Sequence, residues 1–122
     1  MILLDTSIII DFARKEKLEE YEGYCVSIIS LAEILKGVPK GKREVWKNLI
    51  LTLFKVVPLD LKILDIYSEI YYTLRTKGKL ISELDFFIAA TALAYDLELW
   101  TKDKDFLKIK EEFPELKLKL IL

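Results

Sequence analysis

The chain has no histidine and no glutamine, and only one asparagine, Asn48, and one cysteine, Cys25. Without an imidazole, a Ser-His-Asp or Cys-His nucleophile, a histidine-ligated zinc and an imidazole base are all excluded within the chain. Carboxylates, lysines and hydroxyls must carry any chemistry. A lone cysteine forms no intrachain disulfide, and its place in the apolar stretch "YCVSII" reads as a core thiol. The scarcity of amides beside many Lys and Glu is a bias seen in thermophilic proteins. No apolar run approaches the roughly 20 residues that span a bilayer, and the N-terminus lacks the positive region of a secretory signal. A cytoplasmic protein with no membrane partner is expected.

What is present favours one compact domain over residues 1–122. The length suffices for a sizeable core, and a composition 52% hydrophobic and 32% charged leaves few residues for loops or disorder. The net charge of −1 gives no global basic footprint, so a nucleic acid would have to be held by a local patch or a bound cation.

Apolar patterning predicts alternating strands and helices. "ILL" at 2–4 reads as a buried strand followed by the helical "TSIIIDFARK". "YCVS" at 24–27 reads as a second strand, followed by "IISLAEILKG" with Gly37 as the stop. "KREVWKNLILTL" is amphipathic and leads to a strand at "FKVV", closed by Pro58. Asp60 is placed to cap the helix "LKILDIYSEIYYTLRTKG", which carries Ile63, Ile66, Ile70 and Leu74 at helical spacing and stops at Gly78. "SELDFFIAATALAY" is apolar nearly all round and reads as a buried helix, with "LELW" at 97–100 as the next strand. In "LKLKLIL", Leu116, Leu118, Leu120 and Leu122 face one way and Lys117 and Lys119 the other, as on an edge strand. Strands separated by helices imply parallel pairing, hence an α/β fold: a three-layer α/β/α sandwich around a mostly parallel sheet of about five strands.

Four acidic positions stand out. Asp5 lies inside the apolar "MILLDTSIII", where a buried carboxylate needs a partner; with Thr6 and Ser7 it could also simply cap the following helix. Glu33 lies off the apolar stripe of its helix, beside Ser30, and could pair with Lys36 on the surface. Asp85 opens a helix whose next residues are Phe86, Phe87 and Ile88; Ser82 three residues earlier resembles a capping box. Asp103 and Asp105 follow a strand in "LWTKDKDF", and spacing does not decide which of them points inward. All of these positions follow or lie close to the C-terminal ends of expected strands, where open α/β sheets bind ligands. Carboxylates brought within a few ångströms repel, and Mg²⁺ or Mn²⁺, hard cations that prefer oxygen, relieve the repulsion.

In this order, "LLDTSIIIDF", "SLAEILKG" and "LDFFIAATALAYDLELWTKDKDF" resemble the motifs of PIN domains, in particular the VapC toxins of toxin–antitoxin systems, from residue 2 to about 106. The resemblance implies a PIN-like fold and Mg²⁺- or Mn²⁺-dependent endonucleolytic cleavage of RNA. It also implies Asp5, Asp85 and Asp103 as metal-binding acids, Glu33 as a catalytic acid beside them, and Thr6 or Ser7 in support. Asp105 matches an acidic position of the last motif as well, so the choice between it and Asp103 stays open. A cognate antitoxin and a homodimer are implied as partners, with Phe12, Trp46, Tyr71 and Tyr72 as possible interface residues.

RNA-binding candidates are Lys102 and Lys104, which flank the last acids, and Arg43 within a local patch of Lys36, Lys40, Lys42 and Lys47 beside Trp46. A non-catalytic PIN-like scaffold in RNA processing is the alternative function. A phosphatase of the haloacid dehalogenase type would require Asp-x-Asp after the first strand, where Thr6 and Ser7 follow Asp5. A receiver domain would require a paired acid that is also absent.

Overall fold

The computed structural model describes residues 1–121. Leu122, expected on one face with Leu116, Leu118 and Leu120, lies outside the described residues. Five strands alternate with six helices: β1 (Ile2–Leu4), α1 (Thr6–Arg14), β2 (Cys25–Ser27), α2 (Ile28–Lys36), α3 (Arg43–Leu53), β3 (Lys55–Val57), α4 (Leu61–Thr76), α5 (Glu83–Ala94), β4 (Glu98–Thr101), α6 (Phe106–Glu112) and β5 (Leu118–Leu120). Every expected strand and helix is found, with ends shifted by at most two residues. Two 3-10 turns, Leu18–Tyr21 and Lys40–Lys42, add to them.

The strands form one sheet in the order β3-β2-β1-β4-β5, and every pairing is parallel. The expected mostly parallel sheet is therefore fully parallel. Strand alternation divides the side chains between two cores. Leu3, Cys25 and Leu99 face α4, α5 and α6, whereas Leu4, Val26 and Trp100 face α1, α2 and α3. Both faces being covered, the central strands read as unbroken apolar runs rather than as alternating polar and apolar residues.

The helix ends follow local chemistry. Asp60 accepts a hydrogen bond from the Ile63 amide at 2.9 Å and caps α4. α4 buries Ile63, Ile70 and Leu74 completely and Ile66 in part. It stops before Gly78, whose φ of +69° suits glycine. α5 is buried from Phe86 to Ala94 on most of its circumference because α4 and α6 both pack on it. At the sheet edge, Lys117 and Lys119 are exposed and Leu118 and Leu120 half-buried, as expected of a protected edge strand. Cys25 is a buried free thiol whose pKa burial pushes up, in keeping with a core role. Among the described residues, no helix is long and apolar enough to cross a membrane.

Chain direction across the sheet reverses at β1. The helices after β1 and β2 cover one face of the sheet and those after β3 and β4 the other, so the C-terminal ends of β1 and β4 flank the topological switch point. The central strands hold this frame. Leu99→Ala, which empties a fully buried position on β4, is expected to cost about 2–5 kcal/mol of unfolding free energy in urea denaturation, with an unchanged m-value.

Candidate functional site

Asp5 is the first residue beyond β1, and its amide donates to the Trp100 carbonyl of β4 at 2.9 Å. It is 4% exposed. Its carboxylate does not cap α1. Instead, Ser7 Oγ and Thr101 Oγ1 each donate to Asp5 Oδ2 at 2.7 Å. Hydrogen bonds to an ionised acceptor favour the charged form and offset part of its burial cost. The two hydroxyls in turn accept from the backbone: the Lys102 amide donates to Ser7 Oγ at 3.1 Å, and the Asp103 amide to Thr101 Oγ1 at 3.0 Å. Asp5 is thereby tied to the loop that carries Asp103. Thr101 was not among the residues expected at the site; the available signal was a threonine closing a strand directly before a two-acid turn.

Glu33 sits on α2 with Ser30 and faces α1. Thr6 Oγ1 donates to Glu33 Oε1 at 2.8 Å and lies 2.9 Å from Ser30 Oγ. Among the described residues Glu33 makes no ion pair with Lys36. Thr6 and Ser7, interchangeable in sequence, therefore serve different acids: Thr6 holds Glu33, and Ser7 holds Asp5.

Asp85 is in the first turn of α5, yet no capping box forms. The Ser82 side chain caps nothing, and only the backbone bond from the Asp85 amide to the Ser82 carbonyl closes the turn, at 3.0 Å. The Asp85 carboxyl is pushed up from 3.8 to about 7, first by burial and then by the negative charges of Asp5, Asp103, Glu33 and Asp105, in that order. Asp103 and Asp105 differ in their bonds. Asp103 Oδ1 accepts from the Asp105 amide at 2.9 Å, while the Asp105 carboxylate is paired with Lys108 at 3.4 Å.

The fold thus brings all five acids into one electrostatic neighbourhood at the switch point. Among the described residues, no lysine or arginine forms an ion pair with Asp5, Glu33, Asp85 or Asp103. The expectation that three or four carboxylates stand within a few ångströms is corrected: among the described residues, no three of them are drawn together closely enough to form a ready cation cage. The donor chemistry nonetheless fits a hard divalent cation. The candidate ligands are all carboxylate oxygens, and burial together with the neighbouring negative charges raises the pKa of one of them, Asp85, to about 7.

The other expected residues are more dispersed. Lys102 pairs with Asp11 at 3.1 Å and Lys104 is exposed. Arg43 is exposed at the start of α3, its Nε donating to the Val38 carbonyl at 3.2 Å. Lys36, Lys40 and Lys42 are exposed, and Lys47 is paired with Glu44. Trp46 lines a groove of about 520 Å³ together with Ile10, Ala13, Arg14, Ile34 and Val38, and this largely apolar groove meets the acids at Glu33. Of the four suggested interface aromatics, Tyr72 is exposed, whereas Phe12, Trp46 and Tyr71 pack against the cores.

The chain is similar to known proteins over most of its length. The family model described as PIN domain matches residues 2–112. Ribonuclease VapC1 of Methanocaldococcus jannaschii is 39% identical over 112 residues, an alignment covering 92% of this chain and 82% of that protein. The structure of VapBC-1 from nontypeable Haemophilus influenzae superposes with a TM-score of 0.82 at 25% identity, covering 98% of each chain. A toxin–antitoxin complex from Klebsiella pneumoniae gives a TM-score of 0.67 at 30% identity, covering 87% of this chain and 90% of that one.

The crowding has a measurable consequence for stability. A carboxyl raised in the folded state keeps its proton after the unfolded chain has lost it, so ionisation favours unfolding. In EDTA, the unfolding free energy of the wild type relative to Asp85→Asn is expected to fall as the pH rises from about 4 to about 7, the window between the two Asp85 pKa values. It should level off above that window. Urea denaturation of both proteins at pH 4.5, 6 and 8 checks it; a difference independent of pH would remove the like-charge account.

Proposed function

The chain belongs to the PIN domain family, and from this we propose that it is a metal-dependent endoribonuclease, the toxin of a VapBC-type pair. Residues 1–122 act as one nuclease domain, working in the cytoplasm. The observation that carries the reading is the meeting of Asp5, Glu33, Asp85 and Asp103 at the switch point with, among the described residues, no cationic side chain paired to them. The name of the archaeal relative supports ribonuclease activity. The Klebsiella complex supports an antitoxin partner.

In this reading Asp5, Asp85 and Asp103 hold Mg²⁺ or Mn²⁺. Asp103 is preferred to Asp105 because Lys108 already neutralises the latter. When bound, such a cation supplies charge neutralisation at the phosphoryl oxygens and acidifies water near neutral pH. The chain's own residues do the rest. Ser7 and Thr101 both bond Asp5 Oδ2, which fixes the rotation of the carboxylate and leaves Oδ1 outside that pair of bonds. Thr6 fixes Glu33 through Oε1, so that Oε2 can accept a proton from the attacking water. Water adds to phosphorus in line, one P–O ester bond breaks, and the leaving oxygen takes up a proton.

The apolar groove that ends at Glu33 gives an antitoxin segment a surface from which to cover the acids. The protein also acts as a homodimer, for which exposed Tyr72 is an available contact. A non-catalytic scaffold of the same fold is the competing reading, and the full set of acids argues against it.

Mn²⁺ titration by calorimetry, followed by cleavage of a labelled RNA, tests the proposal. Asp5→Asn and Asp85→Asn are each expected to abolish Mn²⁺ binding and to reduce cleavage by more than about 100-fold. Thr101→Val should retain binding and lose roughly 10- to 100-fold, the usual effect of removing a residue that orients a ligand. Mn²⁺-dependent cleavage at wild-type rate by Asp5→Asn would overturn the assignment, and wild-type protein inert toward RNA and Mn²⁺ alike would favour the scaffold.

A further inference from the structure

Beside the acid cluster, two lysines from separate elements meet on one carboxylate. Lys15, on the turn that ends α1, and Lys102, in the loop after β4, both reach the same oxygen of one carboxylate. Their ammonium groups lie 3.0 and 3.1 Å from Asp11 Oδ2. The Asp11 carboxyl is held below its ordinary range by the bonds from Lys15 and then Lys102, so it stays ionised between them. Lys15 is largely exposed, Lys102 and Asp11 half-buried. The ordinary explanation is an i,i+4 pair on a helix surface, which accounts for Lys15 and Asp11. It does not account for Lys102, which arrives from another element.

Two ammonium charges against one carboxylate leave one positive charge, which one phosphodiester would cancel. The location is also specific. The Lys102 amide bonds Ser7 Oγ, and Ser7 bonds Asp5, so the basic site adjoins the acidic one through a single serine. Ser7, Asp11 and Lys15 follow one another at intervals of four residues along one side of α1 and its C-terminal turn. By contrast, the basic residues around Arg43 are spread over the end of α2, the Lys40–Lys42 turn and α3, and Lys47 among them is paired with Glu44.

We propose that Lys15 and Lys102, gathered by Asp11, bind a backbone phosphate of the RNA strand next to the one at the acids, so that the strand crosses α1 rather than the α3 patch. Lys102 was expected to contact RNA from its position beside Asp103; the geometry adds Lys15, while Asp11 offsets one of the two positive charges. The inference rests on the nuclease reading, and equilibrium binding separates the two.

Binding of a fluorescein-labelled single-stranded RNA of about ten nucleotides is followed by anisotropy in EDTA from 25 to 250 mM NaCl. Lys15→Met and Lys102→Met should each weaken binding and lower the slope of log K against log[salt] by about 0.7, the value for one phosphate contact on a single strand. Asp11→Asn, which removes a negative charge from the site, should tighten binding. Lys117→Met, at the opposite end of the sheet, and Arg43→Met should leave the slope unchanged. All variants should bind Mn²⁺ as the wild type does, which also reports that they are folded. Unchanged slopes in both Lys15→Met and Lys102→Met, or equal losses in Lys117→Met, would overturn the phosphate site while leaving the nuclease reading intact. A wild-type protein that neither binds nor cleaves RNA would overturn both.

Discussion

The constraint on which the rest of the structure depends is the placement of a carboxylate, Asp5, at the end of the central strand of a fully parallel sheet. The position is nearly sealed from solvent, so the charge must be compensated locally. Ser7 and Thr101 do this with two short hydrogen bonds to one oxygen, and the same hydroxyls collect the amides of Lys102 and Asp103. The result is a chain of bonds from the first turn of α1 to the loop after β4. That chain fixes where Asp103 stands relative to Asp5.

Like charge is tolerated here because the frame around it is rigid. The buried side chains of β1, β2 and β4 pack into two separate cores, and neither core can relax to spread the acids without moving a strand. Burial first, and then the neighbouring negative charges, raise the Asp85 pKa. A site held in this way is under-neutralised on its own and suited to a ligand that brings positive charge. The neighbouring surface has the opposite balance. Lys15 and Lys102 outnumber Asp11 by one charge, and this complements a polyanion lying across the acids.

Much of this was legible along the chain. The alternation of short apolar runs with amphipathic helices identified every strand, and the absence of histidine left the chemistry to carboxylates, lysines and hydroxyls. The four motif acids were visible because each interrupts or borders an apolar run, where an ionised side chain has no ordinary reason to be. Three features were not visible. Spacing allowed Asp5 and Asp85 to be plain helix caps, because caps and ligands use the same residue types; only the side-chain bonds distinguish them. Thr101 resembled any strand-ending threonine until its hydroxyl was seen 96 residues away in sequence from its acceptor. The openness of the acid cluster was likewise a matter of distance.

Sequence alone determined the class of fold and the kind of chemistry, because residue type and apolar period are local properties that each segment carries by itself. Tertiary structure decided the partners: Thr6 with Glu33, Ser7 and Thr101 with Asp5, Lys108 with Asp105 rather than Asp103, and Lys102 with Asp11. Each of these joins separate elements, except the pairing within the α6 turn and Ser7 with Asp5. The sheet order that brings the separate elements together is settled by the packing of two cores at once, which no single segment specifies.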